Sequence, residues 1–271
     1  MNKLLYILLL FLPFLSVSQV NQKDAKGQKQ GLWNKKYPGS NSLIYKGQFK
    51  DDKAIGEFTY YYESGKIKSV IKHFPNSNLS FAVFYSENEA VLSEGFYKNQ
   101  LKDSVWSNFT PSGALSIKES FLKNQLHGVK IIYYTEGQIE NGVLIPLSVS
   151  NYKKDTLNGL YTEFFSTGKI KKKGVFLNGL KDGEWLEYHP NGQIAQKAKF
   201  KKGNPHTWVY SYDKNGLKIS EVFFQNGTRL KGKELDLFFE NCTKNGIDPK
   251  SRLEKEEVLK KRLLYVLIFS F

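Results

Sequence analysis

Hydrophobic residues recur along this chain at fixed intervals, with glycines between them. Five residues after each of a series of start positions stand Tyr61, Tyr85, Phe109, Tyr133, Phe164, Tyr188 and Tyr212. Starts at 56, 80, 104 and 128 are 24 residues apart, as are those at 159, 183 and 207. Nine residues after most starts comes a glycine: Gly65, Gly113, Gly137, Gly168, Gly192 and Gly216. Two beyond it stand Ile67, Leu115, Ile139, Ile170 and Ile194, with Lys218 the exception. Eight beyond it stand Phe121, Phe176, Phe200 and Phe224. The unit starting at Ser80 has Glu89 in place of the turn glycine and Tyr97 in the last slot.

Each unit reads as strand, tight turn, strand, tight turn. In the clearest copy, "GEWLEYH" is the first strand and "PNG" the turn, where glycine supplies a positive φ at no steric cost. The second strand, "QIAQKAKF", sets Ile194, Ala198 and Phe200 on one face and Ala195, Lys197 and Lys199 on the other. Such period-two alternation predicts half-exposed antiparallel strands. One hairpin cannot bury its aromatic face, but stacked neighbours can. The expected fold is all-β: an elongated antiparallel meander of 24-residue β-hairpins in a single sheet, with a short C-terminal helix. Tyr61, Tyr133, Phe164, Tyr188 and Tyr212 are expected to form a packing column. The spacing of 31 residues between starts 128 and 159 marks an insertion of seven residues near 138–158.

The ends differ from the repeats. Lys3 precedes an apolar run from Leu4 to Leu15, and Ser16 and Ser18 place small residues before a cut ahead of Gln19. That is the pattern of a secretory signal peptide, so residues 1–18 are expected to be removed and the protein exported. Residues 19–30 read as a linker, 31–231 as the repeats and 232–271 as a helical cap with an apolar tail. Ser251 and Glu254 form a capping box opening a helix from about Arg252 to Leu264. Beyond it, Tyr265, Leu267, Phe269 and Phe271 alternate as in the last strand of outer-membrane barrels, although no lipid-facing strands precede them.

Aromatic residues make up 15% of the chain, which fits pleated, half-buried surfaces. The formal net charge of +14 favours anionic partners, but the lysines are spread out rather than clustered, which suits edge protection as well. Cys242 is the only cysteine, so no internal disulfide can form.

The columns G-x-W-x-x-Y-x-x-N-G-x-I, followed by F-x-x-G, resemble the MORN repeat, above all its bacterial variant found in exported, antitoxin-labelled proteins. The matches are Gly183, Trp185, Tyr188, Gly192, Ile194 and Phe200, then Gly159, Tyr161, Phe164, Gly168, Ile170 and Phe176. Departures are Ser80, Ser104 and Thr207 in place of glycine and Lys130 in place of the aromatic. The resemblance implies scaffolds for proteins, or membrane-associating surfaces, rather than a reaction.

No catalytic constellation emerges from the residues. A phosphate loop needs Ser or Thr after Gly-Lys, whereas Gly65-Lys66 and Gly168-Lys169 are followed by isoleucine. His73, His127, His189 and His206 fall in different units without metal-ligand spacing, with His127 and His206 expected at exposed turns. No enzyme activity, cofactor or metal is expected. The expected role is an exported binding scaffold for a protein or envelope polymer. The alternative is a peripheral module holding an anionic membrane surface through Lys171, Lys173, Lys197 and Lys199. An antitoxin-like component or an enzyme with a cross-repeat site is a weaker alternative, and nucleic acid is not an expected partner.

Overall fold

The computed structural model describes residues 19–135, 139–140 and 143–247 and divides into two compact units, Met1–Ala90 and Val91–Phe271. The expected helix at 252–264, the alternating tail, the leader and Gly137 lie outside the described residues. The first unit contains β1 (Gln22–Lys23), β2 (Lys29–Lys36), β3 (Leu43–Lys50), β4 (Lys53–Tyr61), β5 (Ile67–His73) and β6 (Leu79–Tyr85). Each pairs antiparallel with the next. The second opens with β7 (Val91–Lys98), β8 (Leu101–Phe109), β9 (Leu115–Leu122) and β10 (Gln125–Tyr133). After β11 (Ile139–Glu140) and β12 (Val143–Leu144) come β13 (Pro146–Lys153), β14 (Thr156–Phe164), β15 (Ile170–Leu177) and β16 (Leu180–Tyr188). It closes with β17 (Ile194–Lys201), β18 (Asn204–Tyr212), β19 (Lys218–Gln225), β20 (Thr228–Leu230) and helix α1 (Lys233–Lys244). Strand β10 pairs directly with β13, while β11 and β12 pair with each other. The fold is thus an all-β antiparallel meander, as the alternation predicts, and it carries a short C-terminal helix.

The insertion lies in one hairpin loop. An ordinary loop closes from Tyr62 N–H to Lys66 carbonyl, four residues on, and the β10–β13 loop from Tyr134 N–H to Ile145 carbonyl, eleven on. The difference, 11 − 4 = 7, is the excess in the repeat spacing, and the period resumes at β13.

Both ends of the hairpins are laced together at one-repeat separation. Two-residue turns with positive φ at both positions, such as Asn178 (51°) and Gly179 (81°), match the right-handed twist of the strands they join. Most dock on the preceding repeat: Gly179 N–H donates to Leu157 carbonyl at 2.8 Å and Gly203 N–H to Lys181 carbonyl at 2.8 Å. At three of these turns a side chain adds a bond. Asp52, Asn124 and Asp155 accept the N–H of Lys29, Lys102 and Leu126 at 2.9, 2.6 and 2.7 Å. At the opposite end the Tyr37, Tyr62 and Tyr134 hydroxyls donate to the carbonyls of Tyr61, Tyr85 and Phe164 at 2.9, 2.7 and 2.9 Å. His189 Nε2 donates likewise to Tyr212 carbonyl at 2.9 Å.

The start position of most units is a β-bulge, where the backbone takes positive φ: Gly56 (65°), Gly183 (68°), and also Ser104 (59°) and Thr207 (75°). Ser80 departs from this, because β5 and β6 pair without a register shift, with His73 opposite Ser80.

Large rings lie on small partners across the strands. Trp185 is 3% exposed, and a Cβ built on Gly174 would come within 2.2 Å of its ring. Gly95 stands in the same relation to Trp106 and Gly47 to Phe58. The indoles of Trp185 and Trp106 donate to the carbonyls of Val175 and Phe96 at 3.2 and 2.9 Å, so each buried N–H is satisfied. Where the ring is lost the partner grows: Ala82 lies opposite Ile71. Helix α1 covers the last strands, with Phe238 and Phe239 centred 5.3 and 5.4 Å from Phe223 and Phe239 stacked on Trp208. Glu234 and Asp236 in its first turn and Lys244 in its last complement the helix dipole.

Candidate binding surface

Three lysines have a packing role. Lys29, Lys102 and Lys181 set their ammonium groups 5.0, 4.3 and 4.5 Å over Trp33, Trp106 and Trp185, and each also lies over the neighbouring Phe49, Phe121 or Phe200. Each stands four residues before its tryptophan, so K-x-x-x-W was a legible signal that the alternation alone does not reveal. Their alkyl stems cover the rings, and the cation–π contact adds about 0.5–1 kcal/mol at such sites. Burial lowers the pKa of Lys181, and the charge of Lys172 lowers it further.

The four lysines singled out from the sequence are dispersed among different environments. Lys171 is the extra residue of a bulge, since Phe164 pairs with Ile170 and Glu163 with Lys172. Its Nζ lies 2.6 Å from Glu163 Oε1. That hydrogen bond raises the Lys171 pKa. Burial pushes the Glu163 carboxyl up, but the bond and charge of Lys171, with the charge of Lys172, outweigh it and hold the group below the usual range. Lys197 pairs with Glu184 at 2.7 Å, and Lys172 with Glu187 at 2.9 Å. Lys173 lies between Thr162 and Leu186, with its ammonium 5.5 Å from the Tyr188 ring centre, and Lys199 lies opposite Glu184. The sheet brings carboxylates from neighbouring strands to these cations, at distances in sequence that depend on the bulges.

The repeat positions serve the frame. Gly65, Gly113, Gly168, Gly192 and Gly216 all have φ between 79° and 93°, and Glu89 takes 65° in the glycine-less unit. Tyr61, Tyr133, Phe164, Tyr188 and Tyr212 are half-buried, and burial raises the Tyr133 pKa. His127 and His206 are half-buried within β10 and β18 instead of lying at turns. The two-residue turns come earlier, at Lys123–Asn124 and Lys202–Gly203, which carries both histidines onto the strands. His73 Nδ1 shares a 2.8 Å hydrogen bond with Ser80 Oγ, and burial lowers the His73 pKa. Among the described residues no group of three His, Cys, Asp or Glu could hold a metal ion, and no helix is long and apolar enough to cross a membrane.

One repeat position leaves aliphatic side chains in the open. Val105, Val129 and Leu160, each one residue after a start, are 50%, 41% and 58% exposed. They stand where the strand alternation turns side chains away from the row containing Trp106, Lys130 and Tyr161. The corresponding residue in the next unit is Glu184.

These features define a β-hairpin repeat protein whose regular positions are taken up by packing. Three of its repeats match the model of the MORN repeat variant, at residues 55–74, 157–178 and 181–202. No curated protein matches the chain. Among solved structures, a chain in "Crystal structure of GtfA/B complex" is similar at 12% identity, over 65% of this chain and 22% of that one, with a TM-score of 0.12. The present chain therefore spans about a fifth of that neighbour's length, and so low a TM-score carries no argument.

Proposed function

We propose that this protein is an exported, non-catalytic scaffold that presents its sheet to another protein or to an envelope polymer. The supporting observation is the row Val105, Val129 and Leu160, exposed at one repeat position while Trp106 and Trp185 are buried. Apolar side chains held in a regular row on a rigid sheet favour docking by a macromolecule. MORN repeats are typically binding modules, which agrees with this reading, and the leader-like segment at residues 1–18 supports export. Envelope fractions passed over the immobilised full chain are expected to leave one reproducible protein or polymer bound, and Leu160→Glu with Val105→Glu to release it. Failure to retain any reproducible partner would count heavily against the scaffold.

A further inference from the structure

One row of the repeat, four residues after each start, can be followed strand by strand within each unit. In the first unit Lys35 lies opposite Tyr45, Tyr45 opposite Tyr60, Tyr60 opposite Ser69 and Ser69 opposite Phe84. Residues directly opposite one another share a face of the sheet. In the second unit the same repeat position holds Asn108, Ile132, Glu163, Glu187 and Ser211, with Lys172 between the two acids. Among the described residues no aromatic side chain stands in that row. Its lysine is held by Glu187 at 2.9 Å. The first unit therefore has rings and an exposed cation where the second has carboxylates.

The two tyrosines form a fixed platform. Their ring centres lie 5.7 Å apart, and 6.0 and 6.3 Å from that of Phe58, which is 2% exposed. Among the described residues neither hydroxyl has a hydrogen-bond partner, in contrast to those of Tyr37, Tyr62 and Tyr134. Burial, and then the neighbouring Tyr45, raise the Tyr60 pKa, so its hydroxyl stays a donor at neutral pH. Lys35 is exposed and, among the described residues, has no ion-pair partner. One strand spacing, about 5 Å, separates it from Tyr45.

Resting on the scaffold reading above, we propose that this row of the first unit binds an acidic polysaccharide built of uronic acids. A sugar ring lies on Tyr45 and Tyr60, its hydroxyls meet the two phenol groups, and its carboxylate reaches Lys35. Charge and hydrogen bonding together select that occupant. A proline-rich segment covers the rings but leaves both phenol groups and Lys35 unused. A phosphodiester carries its charge between sugars, whereas a uronate holds it at the edge of the ring, beside the stacked face. In the second unit Glu163 and Glu187 repel such a chain from the same row, which places the site on the first.

The test is equilibrium binding of the full chain to fluorescent polygalacturonate oligomers, beside their uncharged methyl esters, at low salt. Lys35→Gln is expected to weaken binding of the free acid about tenfold and to leave binding of the ester unchanged. Tyr45→Phe with Tyr60→Phe keeps both rings on Phe58 and is expected to weaken binding of both forms about fivefold, for two lost hydrogen bonds. Lys46→Gln, on the opposite face of β3, removes the same charge and is expected to cost less than about threefold. These results together support the proposal. Equal losses from Lys35→Gln and Lys46→Gln, unchanged affinity in the double phenylalanine variant, or no binding of polygalacturonate would overturn it. Tighter binding of polyphosphate or of a proline-rich peptide would overturn it as well. A Leu160-dependent partner from envelope fractions, alongside a chain that ignores polygalacturonate, would overturn this inference and leave the scaffold standing. Lys35-dependent binding of polygalacturonate, with no partner from envelope fractions, would uphold the site and remove the scaffold.

Discussion

Gly174 with Trp185, and Glu119 with Lys130, occupy the same cross-strand position in the second unit and fill it by opposite means. In the first case a backbone without a side chain receives a whole indole, 3% exposed, with its N–H bonded to Val175 carbonyl. In the second, two long side chains meet in a 2.9 Å ion pair, with Lys130 21% and Glu119 16% exposed. Asn108 donates a further 3.3 Å bond to Glu119. The lattice demands filled volume at this point, and a ring or an ion pair can supply it. The ring gains from leaving water, whereas the charges must first be stripped of it. Swapping pieces between the two sites tests that account.

The largest effect is expected at the ring. Trp185→Ala should cost about 3–5 kcal/mol in urea denaturation. Gly174→Ala should cost about 1–3 kcal/mol, because its methyl group overlaps the indole. Once the ring is gone, the methyl group has space. The double variant should therefore be no less stable than Trp185→Ala alone, a coupling that independent sites do not show. Simple addition of the two losses would mean that Gly174 has some other reason to be glycine.

At the ion pair, the single and double replacements should diverge in sign. Lys130→Met leaves Glu119 half-buried without its cation and should cost about 1–3 kcal/mol. Glu119→Gly with Lys130→Trp recreates the ring on glycine and should be at least as stable as the wild type. A double variant as unstable as Lys130→Met would show that the strands near the β10–β13 loop cannot accept the ring.

The contrast also shows how much a sequence reveals. Turn glycines, the aromatic column and the alternation recur at one period, so the hairpins and the seven-residue insertion can be counted directly. Gly174 and Trp185 lie 11 residues apart across a turn, and their complementarity emerges only when the register is known. The Lys171–Glu163 and Lys197–Glu184 pairs are harder still, because bulges decide which acid reaches which lysine. Helix α1 gives little local signal: Gly232 is its N-cap and no side chain caps it. The two residues of β1 are too few to carry a period, although they pair with β2 inside the segment 19–30, which reads as a linker.

A smaller effect isolates the backbone. Glu89 is exposed and takes φ 65° where other units have glycine. Glu89→Gly should raise stability by about 0.5–1 kcal/mol, the left-handed cost less the added chain entropy. No gain would mean that the glycine-less turn is not strained.

The smallest effect concerns the unit without a start bulge. His73, held edge-on to Phe58 at 5.5 Å and bonded to Ser80, has its pKa lowered by burial. A lowered histidine pKa means that the unfolded chain takes up the proton first as pH falls. Stability linked to His73 is therefore present above the ordinary histidine pKa of about 6.5 and declines as pH drops through it towards the folded value. Urea midpoints of the wild type and His73→Gln, compared from pH 7.5 to 5.5, should converge as acid removes the wild type's advantage. Parallel profiles would mean that the ring protonates as readily in the fold as in water, and that the Ser80 bond does not depend on a neutral imidazole.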